Sequence, residues 1–108
     1  MRNGDRAELR VKKKLRIGES FVNKEYSCRV LCLHEKEESI YLVLEQDNLK
    51  ELSLDCIYEC RVYSEKALIK CTGRIKERYR GENGNTIKFL IENGFYKINL
   101  KSVDKQIV

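Results

Sequence analysis

A two-residue alternation of apolar and other side chains runs through most of the chain from Leu15 onward, and it restricts the fold to one built of β-strands. It is clearest in residues 56–63 and 67–76, where every second residue is apolar, a cysteine or a glycine. Such a period of two places those residues on one face of a strand. The pattern predicts strands near residues 15–22, 26–34, 40–45, 56–64, 67–79 and 86–92, with a short additional strand at 95–100.

The connections predicted between these strands are short and polar. Asn83-Gly84 predicts a hairpin, residues 64–66 a tight turn and residues 35–39 a charged loop. Residues 46–55 are expected to fold one helical turn over a barrel end, using Leu49, Leu52 and Leu54.

Six or seven short antiparallel strands without crossover helices predict an all-β fold, a small six- to seven-stranded antiparallel barrel. With 108 residues the chain is expected to form one domain. Because Leu31 and Leu33 make the strand at 26–34 apolar on both sides, we expect that strand to be central in the sheet or deep in the barrel.

The net charge of +5 is concentrated near the N-terminus. Residues 1–16 contain seven basic and two acidic side chains, and the other 92 residues contain 15 of each. This asymmetry predicts a basic arm over residues 1–14 ahead of a barrel domain over 15–108. Ala7, Val11 and Leu15, four apart, favour a short helix over 5–16. The arm suits a phosphate-bearing or acidic partner, and a solvated leader is the alternative.

The five cysteines are expected to be reduced, buried thiols in a cytoplasmic protein, because an odd number cannot pair completely. Cys28 and Cys32, like Cys56 and Cys60, are four residues apart, about 13 Å along a strand, which is too far to chelate one zinc ion. We therefore expect no metal and no cofactor. No apolar run reaches the roughly 20 residues of a membrane span, and we expect neither membrane insertion nor a signal peptide.

No catalytic residues are predicted. The single histidine, His34, stands beside Glu35 at a strand end, and neither a nucleophile elbow nor a Gly-rich phosphate loop is present in the sequence. The sequence therefore favours a binding protein over an enzyme.

A basic strand offers one candidate binding face, for RNA or single-stranded DNA. Small barrels bind single strands with basic grooves and stacking aromatics. The N-terminal arm could contribute, whereas interleaved glutamates favour a plain exposed face. The candidates are Arg74, Lys76, Arg78 and Tyr79, beside Arg80 and Lys88.

Three segments together resemble the PilZ family, in particular the PilZ-like N-terminal domain of flagellar-brake (YcgR-like) regulators. Leu15-Arg16-Ile17-Gly18-Glu19 is similar to the opening strand of those domains. Tyr26-Ser27-Cys28-Arg29-Val30-Leu31 is similar to their second strand, and residues 60–79 to their middle hairpin.

The resemblance implies a PilZ-like split barrel and a non-catalytic regulatory module of bacterial cyclic di-GMP-related signalling. Ligand-binding PilZ domains clasp cyclic di-GMP with an R-x-x-x-R arm, which Arg6 and Arg10 match in form; Arg29 is a further candidate. Their second motif should fall on residues 32–37, where Cys, His and Glu replace its polar and glycine positions. That departure weighs against nucleotide binding. The YcgR-like N-terminal domain implies instead a module that contacts a protein partner in signalling or motility.

Overall fold

A computed structural model describes residues 1–14, 24–46, 49–65 and 67–99. The part described contains six β-strands and one turn of 3-10 helix, and no α-helix. The strands are β1 (Arg6–Lys14), β2 (Glu25–His34), β3 (Ser39–Leu44), β4 (Cys56–Ser64), β5 (Ala67–Gly81) and β6 (Gly84–Asn99), and the 3-10 turn is Leu49–Glu51.

All six strands pair antiparallel and form one closed barrel, in the order β1-β2-β3-β6-β5-β4. β1 closes the barrel because it pairs with β2 on one edge and with β4 on the other. The connection from β3 to β4 joins strands that are not neighbours. The predicted small antiparallel barrel is therefore confirmed.

The alternating side chains separate as the sequence predicts, with one set inside the barrel. Leu9, Ile40, Leu42, Val62 and Phe89 have no exposed surface, and Leu52 of the β3–β4 connection is equally buried. Burial of a side chain of this size contributes about 1.5–3 kcal/mol, so these six residues are a main source of stability. The rest of the interior is made of further aliphatic side chains, two tyrosines and four cysteines.

The helix expected over residues 5–16 is wrong, because Arg6–Lys14 forms strand β1. A spacing of four residues keeps side chains on one face of a strand as well as of a helix, so Ala7 and Val11 could not distinguish the two. The burial of Leu9 distinguishes a strand from a helix, because Leu9 lies between Ala7 and Val11 in the sequence and only a period of two buries all three. The residues expected to form an arm ahead of the barrel thus supply its first strand.

The strand expected near 15–22 lies outside the described residues. The strands expected at 86–92 and 95–100 are one continuous strand as far as Asn99, because β6 follows β5 through three register shifts. The other predicted strands agree with β2 to β5 within two residues at each end.

A bulge in β2 explains why that strand reads as apolar on both sides. The register with β3 shifts between Val30 and Cys32, so that Leu33 packs against the core while Cys32 faces outward. Deep burial of the whole strand was therefore the wrong interpretation. Four of the five predicted buried thiols are confirmed, and Cys32 is exposed.

The predicted hairpin joins β5 to β6, but its turn is shifted from the Asn-Gly pair. Gly81 pairs with Gly84, and Glu82-Asn83 form the tip. Only Gly84 of this turn has a positive φ, 110°, which glycine adopts without strain. The charged turn at 35–38 lies where it was expected. Of the tight turn predicted at 64–66, Ser64 ends β4, Glu65 lies in a turn, and Lys66 is outside the described residues.

Gly73 allows β5 to approach β6 very closely at the register shift. A Cβ built on Gly73 would lie 1.8 Å from the carbonyl oxygen of Leu90. No other residue type fits this backbone geometry, which is the usual reason for a glycine inside a strand.

Residues 49–55 form the described end of the connection between β3 and β4. The 3-10 turn agrees with the expected helical turn, and Leu52 is buried, whereas Leu54 is 44% exposed. Within the described ranges, no helix has the length and apolar character needed to cross a membrane.

Thiol labelling tests how the core is arranged. Burial raises the pKa of the Cys28 thiol to about 12, and the hydrogen-bonded Cys71 thiol together with burial raises the pKa of Cys60. Because the thiolate is the reactive form, we expect one fast-reacting thiol in the folded protein and five in denaturant. The fast reaction should disappear in Cys32→Ser. Two or more fast thiols in the folded wild type would contradict the arrangement.

Candidate functional site

The outer face of β1, β2 and β4 contains the three arginines predicted as nucleotide ligands. The strand register places Arg6 between Arg29 of β2 and Tyr63 of β4. The same register places Arg10 between Glu25 and Glu59. One cross-strand row therefore has two adjacent cations, and the other alternates in sign.

Adjacent like charges on neighbouring strands destabilise a sheet, whereas opposite charges stabilise it. The row of Arg10 needs no functional explanation, because each charge there has an opposite neighbour. In the other row the positively charged Arg6 and Arg29 are cross-strand neighbours, an arrangement that the stability of the sheet alone does not favour. That contrast makes the row of Arg6 the candidate site.

The guanidinium of Arg6 lies over an aromatic ring, and more than half of the side chain is exposed. Its guanidinium carbon is 4.4 Å from the centre of the Tyr63 ring. The nearest described carboxylate oxygen, on Glu8, is 4.0 Å away, and no described residue hydrogen-bonds to the guanidinium. With 57% of its side chain exposed, Arg6 presents a planar set of donors suited to a carboxylate or phosphate.

Arg29 is held beside Arg6 by two contacts. Its Nε lies 3.1 Å from a Glu45 carboxylate oxygen, and its Nη1 donates to the carbonyl oxygen of Gly4 at 3.3 Å. Half of its side chain is exposed. The turn that contains Gly4 is itself fixed, because the Gly4 amide donates to the carbonyl oxygen of Val30.

Tyr63 was not among the residues predicted for this site. The Glu8 carboxylate, hydrogen-bonded to the Tyr63 hydroxyl, raises the pKa of that hydroxyl, as does partial burial. Glu8 is thus shared between Tyr63 and Arg6. The available signal was the alternation in β4, which puts Tyr63 opposite the buried Val62, but the pairing of β4 with β1 could not be deduced from the sequence.

Arg10 forms ion pairs with carboxylates on both neighbouring strands. It lies 3.8 Å from Glu25 and 3.5 Å from Glu59. Glu59 also contacts Lys12 at 3.6 Å and Arg61 at 2.6 Å. Arg6 and Arg10 are four residues apart on a strand, or about 13 Å. The structure therefore brings Arg6 and Arg29 together and leaves Arg10 in a separate ion-pair network.

The four residues predicted as a nucleic-acid face are divided by a bulge in β5. The register with β6 shifts between Ile75 and Glu77, so Tyr79 pairs with Thr86 while Arg78 pairs with the buried Ile87. Arg74 precedes the shift and pairs with Leu90. An alternation that reads as one face in the sequence therefore changes face at Lys76.

Two of these four residues form hydrogen bonds to other groups of the protein. Arg74 forms two hydrogen bonds of 2.9 Å to the carboxylate of Glu92. Arg78 donates to the carbonyl oxygens of Lys50 and Leu52, which ties β5 to residues 49–55. Lys76 has no described partner, and Tyr79 is 41% exposed.

The exposed thiol lies near an imidazole on the outer face of β2. His34 follows two residues after Cys32, and its ring is 5.2 Å from that of Tyr41. The Glu37 carboxylate accepts a hydrogen bond from the Lys88 ammonium group at 2.8 Å. In the described part of the chain, no three side chains of His, Cys, Asp or Glu are grouped closely enough to hold a metal ion.

The chain was compared with protein-family models, with curated proteins and with solved structures, and no match was found in any of the three.

Replacing Arg78 should destabilise the fold, because two backbone carbonyl groups lose a charged donor. We expect Arg78→Gln to lower the free energy of unfolding by about 1–3 kcal/mol in urea denaturation. The control is Lys76→Gln, an exposed cation without a described partner, which should change stability by less than about 0.5 kcal/mol. Equal stability of the two variants would show that Arg78 has no structural role.

Glu59 should make stability depend on acid pH. Burial favours a raised pKa for Glu59, but its contacts with Arg61, Lys12 and Arg10 dominate and lower the pKa below the ordinary 4.5. A group with a lower pKa in the folded chain stabilises the fold above its unfolded pKa, and the effect is lost as the pH falls through the folded value.

Glu59→Gln should therefore lower the unfolding free energy by about 1–2 kcal/mol at neutral pH, and the difference should shrink below about pH 4. Thermal unfolding across this range measures it, with Glu35→Gln, in the exposed turn, as the control. A difference that is the same at pH 7 and pH 3 would contradict the ion-pair network.

Proposed function

We propose that this chain is a non-catalytic binding module of bacterial cyclic di-GMP-related signalling that acts mainly through protein contacts. The observation that carries the proposal is the pairing of Arg6 with Arg29 beside Tyr63, on the outside of a barrel whose interior is filled by side chains. The signalling context follows from the PilZ-like pattern of the sequence.

The ionisable groups of the described residues support a binding role over a catalytic one. General acids and bases are most effective with pKa values near the working pH. Instead, the pKa values of three carboxylates are lowered by cationic neighbours: Glu37 by Lys88, Glu59 mainly by Arg61, and Glu92 by Arg74. These carboxylates are firmly ionised. The pKa values of the buried Cys28 and Cys60 thiols are raised, which makes these two groups poor nucleophiles.

The position of Arg10 disfavours a nucleotide clasp. To meet a phosphate together with Arg6, Arg10 would have to leave Glu25 and Glu59. Glu59 would then lie in a half-buried position with one cation fewer. The second motif position is also acidic, since residues 35–38 form a charged turn with three glutamates. We therefore place the protein partner, and not the nucleotide, on the row of Arg6 and Arg29.

Calorimetric titration with cyclic di-GMP tests the nucleotide part of the proposal. We expect no saturable heat from the folded wild-type protein. A saturable signal that disappears in the Arg6→Ala/Arg10→Ala double variant would contradict the proposal and establish the clasp instead.

The protein contact is tested by charge reversal at the paired arginines. We expect Arg6→Glu/Arg29→Glu to reduce capture of a specific protein from native cells by about tenfold or more, because like charges across an interface cost several kcal/mol. Arg80→Glu, an exposed arginine on the β5–β6 hairpin, is the matched control. Equal capture by both variants would remove the paired arginines from the interface.

A further inference from the structure

A cleft opens at the end of the barrel where β1 extends beyond its pairing with β2. That pairing ends at Arg10, whereas the pairing of β1 with β4 continues to Lys14. The register with β4 shifts just after Val11, at the same place. In the described residues the last part of β1 is therefore separated from the start of β2, and the space between them belongs to a cleft of about 350 Å³.

The cleft has apolar and aromatic walls with few polar groups, as small-molecule sites have. Its walls include four side chains that are each at least nine-tenths buried: Val11, Tyr26, Cys56 and Tyr58. Lys24 and Glu51 complete the lining on its exposed side. A cavity of about 150 Å³ is enough to hold a benzene ring. The cleft therefore has room for one ring with a substituent.

The hydroxyl group of Tyr26 has no hydrogen-bond partner among the described residues. Only 6% of Tyr26 is exposed, and the described hydrogen bonds reach its backbone carbonyl group but not its hydroxyl. Tyr58 differs, because its hydroxyl donates to the carbonyl oxygen of Ser53 at 2.8 Å. Buried tyrosine hydroxyls usually have a partner, since an unsatisfied polar group is costly in the interior. A ligand in the cleft that Tyr26 lines would supply the missing partner.

The charges beside the cleft indicate which class of ligand fits. Lys24 and Glu51 form an ion pair of 2.6 Å, and the same ammonium group lies 5.3 Å from the centre of the Tyr26 ring. An anionic ligand would meet Glu51 and a cationic ligand would meet Lys24, whereas an uncharged ligand is repelled by neither. The ammonium has three N–H donors, of which this ion pair uses one. Lys24 and Tyr26 thus offer donors to an uncharged acceptor such as a carbonyl oxygen.

We propose that this cleft binds a small uncharged molecule made of one flat apolar ring and a carbonyl group. The ring packs against Val11, Cys56 and Tyr58, and the carbonyl oxygen accepts hydrogen bonds from the Tyr26 hydroxyl and the Lys24 ammonium. The site lies at the other end of β1 from Arg6. It is therefore separate from the proposed protein contact, and the two proposals are tested independently.

Three probes of nearly equal shape separate the ligand classes: uncharged benzamide, anionic benzoate and cationic benzamidine. Each is titrated at neutral pH into isotope-labelled full-length protein and followed by NMR. We expect benzamide to shift the amides of residues 11, 26, 56 and 58 with a Kd of about 1–10 mM. Benzoate and benzamidine should each bind at least about threefold more weakly.

Tyr26→Phe removes the hydroxyl alone, and we expect it to weaken benzamide binding about fivefold. Tyr79→Phe, at an exposed tyrosine of β5, is the matched control and should change affinity less than about twofold. Urea denaturation of the same proteins examines the hydroxyl without any ligand. The midpoint of Tyr26→Phe should equal or exceed that of the wild type, because the group removed has no partner, whereas Tyr58→Phe should have a lower midpoint.

Any one of four results would overturn the proposal. The first is the absence of saturable benzamide shifts at these residues up to about 20 mM. The second is tighter binding of benzoate or benzamidine, which would assign the cleft to a charged ligand. The third is equal benzamide affinity in Tyr26→Phe and the wild type. The fourth is a lowered urea midpoint in Tyr26→Phe, which would show that the hydroxyl already has a partner in the folded chain.

Discussion

The structure depends on the pairing of β1 along both of its edges. Main-chain hydrogen bonds from β1 to β2 and to β4 close the barrel, and without either set the sheet would have two open edges and an uncovered core. The interior side of β1 contributes Ala7 and Leu9, both without exposed surface. A small and a large side chain alternate there, which fits the narrow interior of a six-stranded barrel.

Closure also decides which outer side chains meet. Because β2 and β4 lie on either side of β1, Arg29 and Tyr63 both become neighbours of Arg6, although 34 residues separate them in the sequence. Four residues further along β1, the same geometry places Arg10 between two carboxylates. One strand thus carries Arg10 between two carboxylates and, four residues away, Arg6 beside a second arginine and a tyrosine. The proposed protein contact is a consequence of this register, since a shift of one residue would turn these side chains inward.

The sequence predicts the class of fold because alternation and turn residues are local properties. It assigns β2 to β5 nearly correctly, together with the hairpin between β5 and β6. It fails at β1, where Ala7 and Val11 fit a helix and a strand equally well, and at the bulges near Cys32 and Lys76, where one extra residue moves later side chains to the other face. The candidate site could be predicted only in part for the same reason. Arg6 and Arg29 were found from the sequence. The position of Tyr63 and the ion pairs of Arg10 with carboxylates depend on non-local strand pairing.

Nuclear Overhauser effects between backbone protons of β1 and β4 test the central claim most directly. We expect cross-strand contacts in the register that joins Ala7 to Val62 and Leu9 to Cys60, together with contacts from the same β1 residues to β2. Helical contacts between residues three apart in 6–14, or contacts from β1 to β2 without any to β4, would show an open barrel. Arg6 would then have no fixed position beside Tyr63, and the proposed protein contact would lose its basis.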